Sequence, residues 1–249
     1  NELDLSQLRQ RIDQLDHEIA RLLTERMENA AIVRAAGIDF YTGKLENAPA
    51  VVAQCGIGKV CAALCAQAMI DRFGVKALIN TGVAGGLDSS LDIGDIVIAA
   101  DAVQHDFDLT SFGHVKGYLG GGDGSEPTRF RSADPELVAA FRAAAERVMK
   151  SGKTLEGTVA SGDVFVADEK KKREIVSLFG AAATEMEGAA IAQTACANGV
   201  PFVIVRAISD LAGGEASVSF DEFEKAAAKT SAEIVAEMLR QGDGLPGRG

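Results

Sequence analysis

The feature that most constrains this chain is a regular exchange of short apolar runs with helical stretches from residue 38 onward. Residues 40–45, 50–54, 75–80 and 96–100 are apolar or β-branched runs of strand length bounded by Gly, Asn and Asp, and the Ala-rich stretch 58–73 reads as a helix. The exchange continues as helix 135–150, strand Thr154–Ser161, helix 168–178, strand 183–186, helix Gly188–Asn198, strand 202–208 and helix Phe220–Gln241. Runs such as VIVRAIS and ALINTG are apolar throughout, as strands covered on both faces must be. The pattern therefore implies an α/β protein with a mostly parallel sheet. Residues 5–33 follow another rule. Leu5, Leu8, Ile12, Leu15, Ile19, Leu22, Leu23 and Met27 recur at threes and fours among charged residues, which predicts one long amphipathic helix capped by Ser6 or Asp4. Residues 117–132, with GGGDGSEPT inside them, read as a mobile surface connection, and 242–249 as a frayed tail.

A length of 249 residues fits one or two domains, and 47% hydrophobic residues supply a sizeable core. Thirty-six acidic against 25 basic residues give a net charge of −11, which would repel a nucleic-acid backbone or an anionic membrane as main partner. Cys55, Cys61, Cys65 and Cys196 are too few for a disulfide framework and read as reduced core thiols of a cytoplasmic protein. With three histidines and neither Cys-x-x-Cys nor His-Glu-x-x-His, no metal is expected. Residues 1–13 lack the apolar stretch of a signal peptide, and no run of about 18 apolar residues occurs, so a soluble, non-exported protein is expected.

In open α/β sheets ligands bind beyond the carboxyl ends of the strands. Four such ends carry polar chemistry. ALINTGVAGG closes with Gly82, Gly85 and Gly86, read either as a tight turn needing positive φ or as a place where backbone approaches a ligand; it is neither a Rossmann nor a Walker fingerprint. TVASGDVF ends with Ser161, Gly162 and Asp163, ATEMEG carries Glu185 and Glu187, and VIVRAISD carries Arg206, Ser209 and Asp210. On an extended segment Glu185 and Glu187 share a face and Met186 points away, with Arg206 as their counter-ion. That pair reads as a structural ion pair or as part of a site. Asp210, at a strand rim, is placed to act as a general acid. The residues alone reach an α/β enzyme with a carboxylate-rich site.

The motifs FYTGKL, CGIGKV, INTGVAGG, GDIVIA, HDFDLTSFG, SGDVF, EMEGAAIA, VPFVIVRAISD and SFDEF occur in order over residues 37–241. Through them the chain resembles the 5′-methylthioadenosine/S-adenosylhomocysteine nucleosidases of the nucleoside phosphorylase family. The resemblance implies a single-domain, three-layer fold with a mixed central sheet over residues 34–249, preceded by an N-terminal helical segment over 1–33. It also implies hydrolysis of the N-glycosidic bond, with a nucleoside and water as the reactants and no cofactor. Asp210 would protonate N7 of adenine, aided by Ser209, as the ribose becomes oxocarbenium-like. Glu187 would bind the ribose hydroxyls, with Glu185 beside it, Met186 packed on the sugar and Arg206 steering the carboxylate. Phe165 would stack on adenine and the Val166 backbone would read its edge. Ile57 and Phe220 would line the alkylthio pocket, and Val83 and Gly85 would lie near the ribose. Leu109, Phe112 and His114 match a segment that reaches the neighbouring subunit's pocket, which implies a homodimer.

Phosphorylases of the superfamily place a cation at the turn that here reads Asn80, Thr81, Gly82, Val83, so water is the expected nucleophile. The N-terminus departs from the family, whose members begin with an apolar strand, a Gly-Ala-Met turn and a water-activating glutamate. Aligned on Leu22, Leu23 and Glu28 that glutamate falls on Ile19, and Glu18, one residue away, is the candidate base. LRQRIDQLDHEIARLLTER also resembles the first helix of all-helical chorismate mutases, with Arg9 and Arg26 at two arginine positions. A dimerising or covering helix is the plainer reading. Alternatives for the whole chain are a related nucleosidase or phosphorylase acting on futalosine or another purine nucleoside, and a catalytically impaired adenosine-binding homologue.

Overall fold

In the computed structural model residues 5–132, 134–211 and 220–242 are described, those at 5–9, 11, 12 and 220–225 by their backbone. Helix α1 (Leu5–Glu25) leads into β1 (Glu28–Ala35), β2 (Ile38–Leu45) and β3 (Ala48–Val52), followed by α2 (Lys59–Phe73), β4 (Leu78–Gly86) and β5 (Ile96–Gln104). After a 3-10 turn at Thr110–Phe112 come α3 (Pro135–Val148), β6 (Thr154–Ser161), α4 (Glu169–Phe179), β7 (Ala181–Glu185), α5 (Gly188–Asn198), β8 (Phe202–Asp210) and α6 (Phe220–Gln241). Asp134 and Asp168 cap α3 and α4 by accepting from backbone N–H groups, and Gly74, Gly180 and Gly199 end α2, α4 and α5 in the left-handed conformation.

The amphipathic pattern of residues 5–33 overextends the first helix. It stops at Glu25, and Glu28–Ala35 pairs antiparallel with β2. Local chemistry explains the change: Ala36 at φ 49° and Gly37 at φ 77° form a two-residue turn of primed type, which the β-branched Ile32 and Val33 extend into a hairpin. The Asp4 cap lies outside the described residues, and Ser6 falls within the helix rather than before it. The helix is no separate unit. Leu15, Ile19, Leu23 and Met27 are buried in one cluster with Ile234, Val235, Met238 and Leu239 of α6 and with Val203 and Val205 of β8. Burying three such aliphatic side chains contributes roughly 5–8 kcal/mol.

Strands β4, β7, β6, β5 and β8 close into a barrel in that order, beside the separate sheet β1-β2-β3. The barrel is less parallel than the sequence pattern implies: β4–β8, β5–β6 and β6–β7 run parallel, whereas β4–β7 and β5–β8 run antiparallel. A parallel return needs a crossover of a dozen or more residues. Residues 87–95 hold no helix, so β5 runs back against the direction of β4. Helices α1, α3 and α6 cover one flank, while α2 and α5 pack together on the other. No helix among the described residues is long and apolar enough to cross a membrane.

The polar stretch 117–132 is anchored rather than loose. Arg129 donates to Asp101, to Thr158 Oγ1 and to the Phe179 carbonyl, and Phe130 exchanges backbone hydrogen bonds with Ala102. The buried Asp101 carboxylate draws the loop in, a tertiary contact that its composition does not announce. All four cysteines are free, but only Cys65 is buried; Cys61 and Cys196 are exposed, and Cys55 is half-buried. Residues 243–249, the bulk of the expected tail, lie outside the described residues.

Candidate active site

The ends of β4, β7 and β8 converge with the turn after β6 and the turn before α2 on a narrow cavity of about 50 Å³. Ile57, Val83, Phe165, Val166 and Met186 line it with apolar groups, Gly85 with backbone, and Glu187, Ser209 and Asp210 with polar ones. Ser209 donates to Asp210 Oδ2 at 3.0 Å. The alternation expected of residues 185–187 does not hold. The strand ends at Glu185 and Glu187 already stands at the N-cap of α5, so Glu185, Met186 and Glu187 all border the same cavity.

The two glutamates have different work. Glu185 accepts from Ser161 Oγ, from Arg206 and from the Glu187 and Gly188 amides at 3.1 and 2.8 Å. Its oxygens are thus occupied by protein, which makes it the support of the site rather than a contact for substrate. Glu187 accepts from the Gly58 amide at 2.9 Å and lies 3.6 Å from Arg206. Burial, then the charge of Glu185, pushes its carboxyl up to about 7. The GIGK turn is fixed by the same group and by Asp163, which accepts from the Lys59 amide, while the Lys59 ammonium pairs with Asp106 at 2.7 Å. Asp163 is one of the strand-end residues singled out in the sequence, whereas Lys59 and Asp106 are supports that the strand-end reading passed over.

Arg206 is 3% exposed. Besides Glu185 and Glu187 its guanidinium reaches Asn80 Oδ1 at 2.6 Å, and opposite charges hold it firmly protonated. Gly82, Gly85 and Gly86 are strand residues inside β4, none of them at positive φ, so the tight-turn reading fails. A Cβ on Gly82 would collide with the Arg206 guanidinium, and that approach is why glycine stands there. A bulge between Ala84 and Gly85 then sets Gly85 opposite Asp210. A cation therefore does reach the turn read as lacking one, brought by β8.

Glu18 is not brought to the site. It receives two hydrogen bonds from Arg21, at 2.6 and 2.7 Å, on the outer face of α1 and borders neither cavity. Two residues away, and so on the opposite face of the helix, Asp16 does turn inward. It lines a second cavity of about 790 Å³ enclosed by α1, β3, α2, β4 and α6, which also touches Thr81, Arg206 and Glu187. Desolvation pushes its carboxyl up to about 6 against the pull of Arg206, with Asp13 and Glu185 adding to the rise. A lone Asp within an amphipathic repeat carries no signal of this in the sequence. Leu109, Phe112 and His114 also stand apart from both cavities. Phe112 is 79% exposed, and the His114 ring lies 4.5 Å from that of Tyr118. The Phe220 side chain lies outside the described residues, as does that of Arg9; Arg26 lies 3.8 Å from Glu233 and 3.9 Å from Glu46. Among the described residues no group of three side chains could hold a metal ion.

The sequence profile of the phosphorylase superfamily matches residues 12–240. A 5′-methylthioadenosine/S-adenosylhomocysteine nucleosidase of Geobacillus thermodenitrificans is 43% identical over 229 residues, 92% of this chain and 94% of that protein. The crystal structure of such a nucleosidase from Colwellia psychrerythraea, in complex with adenine, superposes with a TM-score of 0.83 at 38% identity, covering 92% of this chain and 93% of that one. A futalosine hydrolase of Helicobacter pylori superposes at 0.80 with 35% identity, covering 90% and 93%.

Proposed function

The chain belongs to the phosphorylase superfamily and, within it, to the 5′-methylthioadenosine/S-adenosylhomocysteine nucleosidases, and on that premise we propose how its residues divide the hydrolysis of the N-glycosidic bond of these two substrates. The reaction releases adenine and the 5-thioribose product. Adenine leaves poorly as an anion, so an acid at N7 lowers the barrier. Asp210, held by Ser209 at the mouth of the narrow cavity, takes that role. Glu187 accepts from the ribose hydroxyls and opposes the positive charge that develops on the sugar, with Met186 packed against it. Phe165 stacks on the base, the Val166 backbone reads its edge, and Ile57 borders the alkylthio group.

The surroundings of Arg206 favour water over phosphate as nucleophile. Three carboxylates, Glu185, Glu187 and Asp16, act on this one guanidinium. A phosphate dianion brought to that cluster would meet a cation already compensated and acids beyond it. Leu109, Phe112 and His114 complete the partner subunit's pocket in a homodimer, a reading supported by the exposure of Phe112 away from its own cavity. Four free thiols suit the cytoplasm. Helix α1 serves as a cover for the barrel flank.

The test is adenine release from methylthioadenosine in phosphate-free buffer. Turnover there supports the hydrolase. Turnover only with phosphate would make it a phosphorylase, hypoxanthine release from futalosine alone would shift the substrate, and adenine binding without turnover would leave a binding protein.

A further inference from the structure

Asp16 lies where a nucleophile would be prepared. Its Oδ1 is 3.3 Å from the point at which a Cβ on Gly82 would stand, on the side of the Arg206 guanidinium. Asp16, Thr81, Arg206 and Glu187 border one cavity, and Glu187 alone of these also borders the cleft of Asp210. Two buried polar atoms on those residues, Arg206 Nε and Thr81 Oγ1, find no hydrogen-bond partner among the described residues. Buried polar groups of that kind call for a small polar guest. A water in the cavity that these residues border would find Asp16 there as an acceptor for its proton. Glu187 itself is engaged by the Gly58 amide and Arg206. Asp16 and Ile19, the position on which the expected glutamate falls, share one face of α1 three residues apart and border the same cavity.

We propose that Asp16 is the general base that activates the hydrolytic water, a role that rests on the nucleosidase reading. As the water oxygen bonds to C1′, one of its protons passes to the Asp16 carboxylate. The C1′–N9 bond breaks, its electron pair leaves with adenine, and N7 takes the proton of Asp210. Both acids return to their starting states by exchange with solvent once the products leave. Asp13 on α1, Glu185 on β7, Arg206 on β8, Glu187 before α5 and Cys55 beyond β3 are the titratable groups that act on Asp16. Burial raises its affinity for a proton, so it is ionised near neutral pH yet basic enough to accept one.

The experiment measures kcat and KM for adenine release from methylthioadenosine across pH 5–9, with adenine binding followed by calorimetry, for the wild type, Asp16→Asn and Asp16→Glu. The wild type should lose activity as pH falls through about 7 and then about 6, where Glu187 and Asp16 protonate in turn, with a limiting slope near two below both. Asp16→Asn should lower kcat about 10²–10⁴-fold, reduce the slope to one and bind adenine within about threefold of wild type; Asp16→Glu should recover part of kcat. Retention of wild-type kcat by Asp16→Asn would overturn the base role while leaving the nucleosidase intact. Loss of adenine affinity in step with kcat would make Asp16 structural. A wild type that binds adenine and turns over neither thioadenosine would bring down the nucleosidase reading and the base with it.

Discussion

The two cavities that meet at Glu187 are built in opposite ways. The narrow one is a strand-end site: the ends of β4 and β8 and the turn from β7 into α5 deliver Gly85, Asp210 and Glu187 to it, and hydrogen bonds one or two residues long finish the arrangement. The wide one is a docking site. It exists because α1 and the β1–β3 sheet lean on the barrel flank, with β3, which pairs only with β2 among the described strands, facing β4 across about 790 Å³. The acid of the first stands at a strand end beside a serine, whereas the acid of the second, half-buried like it, sits among like charges around a single arginine. A side chain placed by strand order is legible at short range; one placed by docking is not.

Four substitutions break or sharpen this contrast. Asp210→Asn, a near-isosteric loss of the rim acid, should leave the melting curve in place and lower kcat by about three orders of magnitude, roughly 4 kcal/mol of barrier; full activity would remove Asp210 from the mechanism. Arg206→Met takes away the charge on which both cavities depend and leaves Glu185 and Glu187 buried without it, at a cost of about 3–4 kcal/mol read by urea melts. Those melts should show the loss shrinking toward pH 5 as Glu187 protonates. Gly82→Ala drives a methyl into the Arg206 guanidinium and should cost about 2 kcal/mol through displaced ion pairs, read by urea melts. The smallest effect has the opposite sign. Burial raises Asp16 above its unfolded value, so the native state binds the extra proton, and stability is lost as pH climbs from about 4 to about 6 and stays lost above. Asp16→Asn should therefore stabilise the protein by up to about 2 kcal/mol at pH 8 and by little at pH 4, and an equal shift at both would refute the enclosed charge.

Much of the barrel and its rim could be read from the chain. Helix Gly188–Asn198, strand Thr154–Ser161 and helix Phe220–Gln241 stand where their periodicity puts them, because the period and a glycine just past the end of each agree. Glycine at 82, 85 and 86 misled, since the same residue serves a turn by its φ and a guanidinium by its missing Cβ, and the sequence does not distinguish the two uses. Helix α1 misled in another way: Glu28–Ala35 continues the helical spacing, yet the turn at Ala36–Gly37 and pairing with β2 outweigh it.

By itself the sequence determined the α/β class, the strand ends that carry Ser209, Asp210, Glu185 and Glu187, and, through its motifs, the nucleosidase family, because each is written in residues close together along the chain. Tertiary structure alone decided that β5 turns back against β4, that Glu185 supports while Glu187 faces both cavities, and that Asp16 rather than Glu18 points inward. Those outcomes depend on Arg206, Gly82 and α1 meeting across more than a hundred residues, where the balance of desolvation against ion pairing, and not local propensity, selects the arrangement.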